Sequence, residues 1–366
     1  RSAFSEHGRN TSVIPQWPDT RQTGTCLSTK NGEFSEMHLP ASITIHPSQF
    51  PDPVTLDLLE SLRRRKVNHK FHYDSIKQTQ KWLALHEAYS PSRTDARCSA
   101  IYDRSFDFLS TELPPSSIHL IGLGCGGGQK DSRLLQRLVN KMTRVDYTPM
   151  DVSTAMVLVA REEALKVIPE NRCHPFVCDL ATAQDLHTLF DPASSRGDTR
   201  IYTFFGMIPN FEPSVILPKL AELVLSGDHL LFSANLAPGE DYDAGILKIR
   251  PLYDNEPTRE WLITFLLDLG VEKGDGSIQW GIEEDPNGSG LKKVSALFRF
   301  EHARTVRLHG EIFAFAPGDT VQLFFSYRHT PGLIRKILGE HGFEVRKEWI
   351  TASEEEGVFY CRRIRA

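Results

Sequence analysis

Apolar positions along the first 44 residues are isolated among Ser, Thr, Asn, Gly and Pro, too sparse to offset the entropy of ordering the chain, so a flexible extension is predicted over 1–44. From "PVTLDLLESLRRRK" to "IYDRSFDFLS" (53–110) the apolar spacing is helical. It breaks at "YSPSRTD" (89–95), where Pro91 interrupts and Ser92 or Thr94 is placed to cap the next helix. At about 117 the rhythm changes. "IHLIGLG" (118–124), "RVDYTPMDVS" (144–153), "HPFVCDL" (174–180), "TRIYTFFGM" (199–207) and "DHLLFSANL" (228–236) are short strand-like runs, separated by helical stretches at 130–141, 154–168, 181–190 and 213–225. This alternation predicts βαβ units and a doubly wound parallel α/β sheet, which binds ligands beyond the carboxyl ends of its strands. Residues 240–326 depart from it, with a helical stretch at 243–268 followed by period-two β segments, and read as a second, α+β module. A helix at 331–341 and two strand-like runs within 343–364, joined by a polar turn, predict a closing β-hairpin.

The first parallel strand runs into a glycine cluster, "IHLIGLGCGGGQKDSRLLQRL" (118–138), and leaves it as a helix. Glycine tolerates positive φ and lets a ligand approach the main chain, so close backbone contact is expected there. A P-loop is a poor match, because Lys130 is followed by Asp131 rather than Ser or Thr. Gly122, Gly124 and Gly127 satisfy G-x-G-x-x-G, which suits a dinucleotide pyrophosphate. Gly124, Gly126 and Gly128 satisfy the G-x-G-x-G turn of S-adenosylmethionine enzymes. Asp151 at the end of the next strand is then placed for ribose hydroxyls, and Asp179 at the end of the third for the adenine side. The plainer alternatives are a helix cap for Asp151 and a loop role for Asp179.

Composition narrows the classes. The 366 residues are 40% hydrophobic and 24% charged with a net charge of −5, which gives no field for gathering nucleic acid. The basic run "LRRRK" (62–66) reads as the solvated end of an amphipathic helix. The longest apolar stretches, such as "WLITFLLDLG" (261–270), fall short of the roughly 20 residues of a membrane span, so no membrane partner is expected. Six cysteines without a CxxC pair argue against a disulfide framework or structural zinc, and no metal cluster is visible. The opening residues lack the layout of a secretory signal, so cytoplasm is the expected compartment. A monomer or weak dimer is expected.

Five local patterns occur in one order: "FHYDSIKQTQKWLALHEAYSPSRTD" (71–95), the glycine turn with "RLLQRL", "YTPMDVS" (147–153), "IPNFEP" (208–213) and "FFSYRH" (324–329). Together they resemble the S-adenosylmethionine-dependent histidine N-alpha-methyltransferases of ergothioneine biosynthesis and their fungal relatives that methylate tryptophan-type amino acids, over roughly 45–366. The resemblance implies a class I methyltransferase fold with a C-terminal hairpin (95–238 and 327–366) and an acceptor-binding domain (45–94 and 239–326). It implies that Tyr89 and Tyr253 bind the acceptor carboxylate and that Asn210 binds the amino group to be methylated. Lys130 and Leu180 join the expected cofactor set, and Ser326 is expected to contact the acceptor side chain.

Three departures stand out. The family's acid two positions before the first glycine is replaced by Gly122, and "FGMIPNF" is one residue short. Where the histidine enzymes carry a glutamate that grips the imidazole, this chain has Phe324. Replacing an acid that bonds a polar ring by an apolar group forfeits on the order of 2–4 kcal/mol, whereas Phe324, Phe325 and Trp261 suit a flat apolar ring. The expected acceptor is therefore tryptophan or a derivative. Histidine, another amino acid or small amine, an inactive S-adenosylmethionine-binding homologue and a nicotinamide oxidoreductase remain as alternatives.

Overall fold

Strand-like runs between 118 and 236 become the parallel core of one sheet in the computed structural model, which describes residues 41–190 and 199–364. The chain begins with β1 (Thr44–Ile45), α1 (Pro51–Arg63), α2 (Ile76–Tyr89), α3 (Pro91–Thr94) and α4 (Ala96–Glu112). Alternation follows through β2 (Ser117–Leu123), α5 (Gln129–Val139), β3 (Arg144–Asp151), α6 (Thr154–Leu165), β4 (Phe176–Val177), α7 (Leu186–Leu189), β5 (Thr199–Phe205), α8 (Pro213–Leu223) and β6 (His229–Asn235). Next come α9 (Tyr242–Ile249), α10 (Glu256–Asp268), β7 (Gly276–Glu284), β8 (Lys292–Phe300), β9 (Arg304–Leu308), β10 (Glu311–Phe315) and β11 (Thr320–Arg328). The chain closes with α11 (Pro331–Glu340), β12 (Phe343–Ile350) and β13 (Glu356–Arg363).

The large sheet has the order β1-β4-β3-β2-β5-β6-β13-β12. Its first six strands pair in parallel, and the β12–β13 hairpin adds two antiparallel strands beyond β6. From β2 the chain winds outward to β3 and β4, then returns to β5 on the other side, so a crevice opens beyond the carboxyl ends of β2 and β5. Period-two alternation sends Ile118 and Leu120 to the face covered by α4, α5 and α6, and Ile121 and Leu123 to the face covered by α8 and α11. This is an α/β architecture with a doubly wound parallel core, as the alternation predicted.

The extension expected over 1–44 lies, for residues 1–40, outside the described residues; Thr44 belongs to β1, its N–H donating to Pro175 O at 3.0 Å. The cap expected from Ser92 or Thr94 is supplied instead by Asp95, whose carboxylate accepts from Arg97 N–H at 2.8 Å, because Pro91–Thr94 forms a separate helical turn. The helical stretch expected over 181–190 shrinks to α7. Among the described residues no helix is long and apolar enough to cross a membrane.

A second core lies under the antiparallel sheet β11-β8-β7. Leu62, Val67 and Phe71 from the N-terminal stretch share it with Trp261, Phe265, Phe298 and Phe324. The two segments are joined by backbone: Val67 N–H donates to Gln322 O and Gln322 N–H to Arg65 O, each at 2.8 Å. The basic run 62–66 is spent on ion pairs, Arg64 with Glu60 on the same helix and, across the fold, Arg63 with Glu311, Arg65 with Asp319 and Lys66 with Glu212.

The β11–β8 register slips between Gln322 and Phe324, a bulge on an edge strand. Edge positions leave backbone groups unpaired, and here side chains take them. His72 Nε2 donates to Leu323 O at 2.6 Å, Phe325 N–H donates to His69 Nε2 at 3.3 Å, and Asn210 Nδ2 donates to Phe325 O at 3.0 Å.

Phe204 is fully buried with its ring 5.9 Å from Phe232; Phe204→Ala is expected to remove about 3–5 kcal/mol of stability in denaturant unfolding. Burial holds the imidazoles of His72 at about 4 and of His86, His229 and His329 at about 3. A pKa lowered on folding gives stability that is present above the unfolded value of about 6.5 and lost as pH falls toward the folded one. Asp131, raised to about 6, acts in the opposite sense but over a smaller shift. The melting temperature is therefore expected to fall between pH 7 and pH 5; a constant or rising value in a pH series of thermal melts contradicts this.

Candidate functional site

The turn after β2 needs glycine at three places. Gly124, Gly126 and Gly128 have φ of +67°, +51° and +75°, a region that costs other residues roughly 1–2 kcal/mol. Gly124 and Gly126 line a cavity of about 810 Å³ beyond the strand ends, a size suited to small-molecule ligands. A Cβ at 124 would stand 2.5 Å from the Met207 sulfur, and one at 126 would stand 3.3 Å from the Trp82 ring. Gly128 serves a different purpose: its Cβ would lie 2.7 Å from the Ala160 Cα, so it lets α5 approach α6. Gly128 is not among the residues that line the cavity.

Asp151 braces the turn. Its carboxylate accepts from Gly126 N–H at 3.1 Å and from Ser153 N–H at 3.0 Å. The helix-cap alternative fails, since Ser153 caps α6 by accepting from Met156 N–H at 3.3 Å. Burial pushes the Asp151 carboxyl up against the lowering effect of these N–H donors. A carboxylate has about four acceptor sites, so capacity is left for a hydroxyl donor.

Asp179 also lines the cavity, with Leu180 beside it. Its oxygens are already engaged by Ala181 N–H at 3.0 Å and by the buried Lys70 ammonium at 3.2 Å, and Lys70 also pairs with Asp57. Lys130 turns to the cavity floor, where its ammonium donates to the Tyr102 hydroxyl at 2.9 Å and lies 3.9 Å from Glu356. An open main-chain turn, a carboxylate with spare acceptors at the second strand end and acidic groups around both fit S-adenosylmethionine.

The opposite wall is aromatic. Phe324 lines the cavity while also packing in the second core; its ring lies 6.1 Å from Trp261, 6.2 Å from Tyr253 and, stacked, 5.1 Å from His69. His69 stays neutral, its basicity depressed by burial. Asn210, in the turn after β5, has its orientation fixed chemically: the Phe325 carbonyl can only accept, so the amide NH2 must face it and Oδ1 is left for a ligand. The Tyr253 hydroxyl donates to Ser326 Oγ at 2.8 Å and accepts from Arg328 Nε at 2.9 Å. Ser326 is buried behind Tyr253 and is not among the residues that line the cavity. Tyr89 stands at the end of α2 on the cavity rim, 53% exposed.

Sequence reasoning missed His69, Lys70, Trp82, Asp131 and Arg328, each of which lines the cavity or bonds to a residue that does. Only "FFSYRH" carried a local hint, an arginine two residues after the serine. The others reach the cavity through pairings distant in the chain.

Comparisons with known proteins place this geometry in a family. The model of the family described as histidine-specific, S-adenosylmethionine-dependent methyltransferase matches residues 54–242. No curated protein matches. Similar solved structures include magnesium protoporphyrin IX methyltransferase from Synechocystis PCC 6803 with bound S-adenosylhomocysteine, at 16% identity, covering 85% of this chain and 97% of that one, with a TM-score of 0.38. The CcbJ methyltransferase from Streptomyces caelestis is 14% identical, covers 72% and 95% and has a TM-score of 0.37. The glycopeptide N-methyltransferase MtfA with S-adenosylmethionine is 14% identical, covers 71% and 93% and has a TM-score of 0.35. Because the family match spans more than half of its 366 residues, this chain belongs to the histidine-specific, S-adenosylmethionine-dependent methyltransferases and is an enzyme of that cofactor.

Proposed function

We propose that the enzyme methylates the α-amino group of an aromatic L-amino acid, tryptophan or a derivative, rather than histidine. The observation that carries this reading is the wall of Phe324, Trp261 and Tyr253 beside the available Oδ1 of Asn210. An imidazole set against Phe324 lacks the charge-assisted partner a carboxylate gives it, while an indole gains roughly 0.5–1.5 kcal/mol from each aromatic contact beyond area burial. In this reading residues 45–94 and 239–326 form the acceptor side, and 95–238 with 327–366 form the cofactor side.

S-adenosylmethionine supplies the methyl group on its sulfonium. The chain's part is to hold the amine. The Tyr253 oxygen is held by Arg328, so its proton is free to turn from Ser326 to an acceptor carboxylate, with Tyr89 closing on the same group from the rim. Asn210 Oδ1 accepts one amine N–H and so aims the lone pair. The apolar wall disfavours the ammonium form, so the acceptor gives its proton to solvent water as it binds and presents a neutral amine. Alignment of two bound reactants supplies most of the rate, so no protein nucleophile is needed.

A screen of the common amino acids with mass detection of +14 products is expected to show tryptophan, or an indole derivative, above histidine in kcat/KM; histidine above tryptophan overturns the acceptor assignment. Phe324→Glu is expected to move the histidine-to-tryptophan ratio toward histidine by about tenfold or more. Asn210→Ala is expected to lower kcat/KM by about 10- to 100-fold with cofactor affinity retained in calorimetry; undiminished turnover removes Asn210 from the site.

A further inference from the structure

Gly122 is a glycine without a conformational reason, since it is absent from the positive-φ positions. The reason is space. A Cβ there would lie 2.2 Å from Asp131 Oδ2 and 3.1 Å from the Tyr147 hydroxyl. Asp131, in the first turn of α5, therefore projects its carboxylate back over the end of β2, into the volume that a side chain at 122 would fill.

That carboxylate is held from both neighbouring strands. Tyr147 of β3 donates to Oδ2 and Thr203 of β5 donates to Oδ1, each at 2.8 Å. Both partners are neutral, and among the described residues no cationic side chain forms an ion pair with Asp131. It is buried yet borders the cavity, and burial outweighs its hydroxyl donors and the charge of Lys130, lifting the carboxyl to about 6. A buried carboxylate in this condition is stabilised by a cation that arrives with the ligand.

The other acids of the cavity are committed elsewhere. Asp151 braces the turn's N–H groups and keeps its remaining acceptor capacity for a hydroxyl donor, Asp57 and Asp179 are paired with Lys70, Glu60 with Arg64, Glu212 with Lys66, and Glu356 is bonded by Tyr102 and Cys98 and stands near Lys130. S-adenosylmethionine carries two cationic centres. Its sulfonium has no hydrogen to donate, whereas its α-ammonium has three, and Asp131 retains acceptor capacity on both oxygens.

We propose that Asp131 is the carboxylate that receives the α-ammonium of S-adenosylmethionine, and that Gly122 is bare because this acid, delivered by the helix, occupies the place of a strand-borne one. Positions 122 and 131 then share a single anionic site, whatever amine is methylated. The departure at 122 noted in the sequence is thereby an exchange of position, with the charge conserved.

The test is calorimetry of S-adenosylhomocysteine and of 5′-methylthioadenosine, which keeps the nucleoside and thioether but lacks the amino acid end. Asp131→Asn preserves the shape and is expected to weaken S-adenosylhomocysteine by about 10- to 100-fold while leaving methylthioadenosine within about threefold. The double variant Gly122→Asp/Asp131→Ser returns the acid from the strand and is expected to recover at least part of the lost S-adenosylhomocysteine affinity. Asp131→Asn binding both ligands as the unaltered enzyme does overturns the proposal, as does equal loss of both ligands, which marks a structural role. A folded double variant, judged by its thermal melt, that remains as weak as Asp131→Asn overturns the shared site.

Discussion

The obligation to satisfy the backbone of the edge strand β11 organises this enzyme. Leu323 and Phe325 present main-chain groups away from β8, and His72, His69 and Asn210 meet them. An orphaned buried group costs about 1–3 kcal/mol, so three such bonds fix the position of the strand strongly. Two of the three side chains come from the N-terminal helical stretch and one from the turn after β5, so one edge strand clamps the second core onto the cofactor sheet. The clamp also orients a side chain that lines the cavity: it spends the Asn210 NH2 on Phe325 and leaves the amide oxygen unspent.

On the cofactor side, geometry comes from glycine and charge from acids that are placed one by one. Gly124 and Gly126 accept a backbone conformation that other residues resist, Asp151 ties that conformation to β3, and Gly128 lets α5 and α6 close up behind it. Three of these acids answer to different partners: backbone N–H groups for Asp151, Lys70 for Asp179, two hydroxyls for Asp131. This separation lets several carboxylates crowd one cavity without sharing a proton. Across the cavity, Arg328 holds the Tyr253 phenol oxygen.

Much of this was legible in the chain. Alternating apolar runs between 118 and 236 announced a parallel sheet because a strand buried on both faces has to be apolar throughout, and the hairpin at 343–364 and the helix before it lie where the pattern placed them. The glycine turn and Asp151 were readable because both ends of that interaction sit at the ends of adjacent strands. Weakly patterned segments misled: β4 is only two residues long, α7 only four, and Asp95 rather than Ser92 or Thr94 caps α4. A cap depends on where the preceding helical turn stops, and spacing does not record that.

By itself the sequence determined the order of elements, the glycine turn at the end of the first long parallel strand and the aromatic character of residues 324 and 325, since these follow from periodicity, from φ preferences and from side-chain chemistry. Tertiary structure alone decided which groups face the cavity. The bulge before Phe324, the retreat of Ser326 behind Tyr253 and the capture of Phe325 by His69 and Asn210 all arise from contacts made across the fold. No local pattern encodes them, because each is set by which distant segment arrives to satisfy a buried polar group.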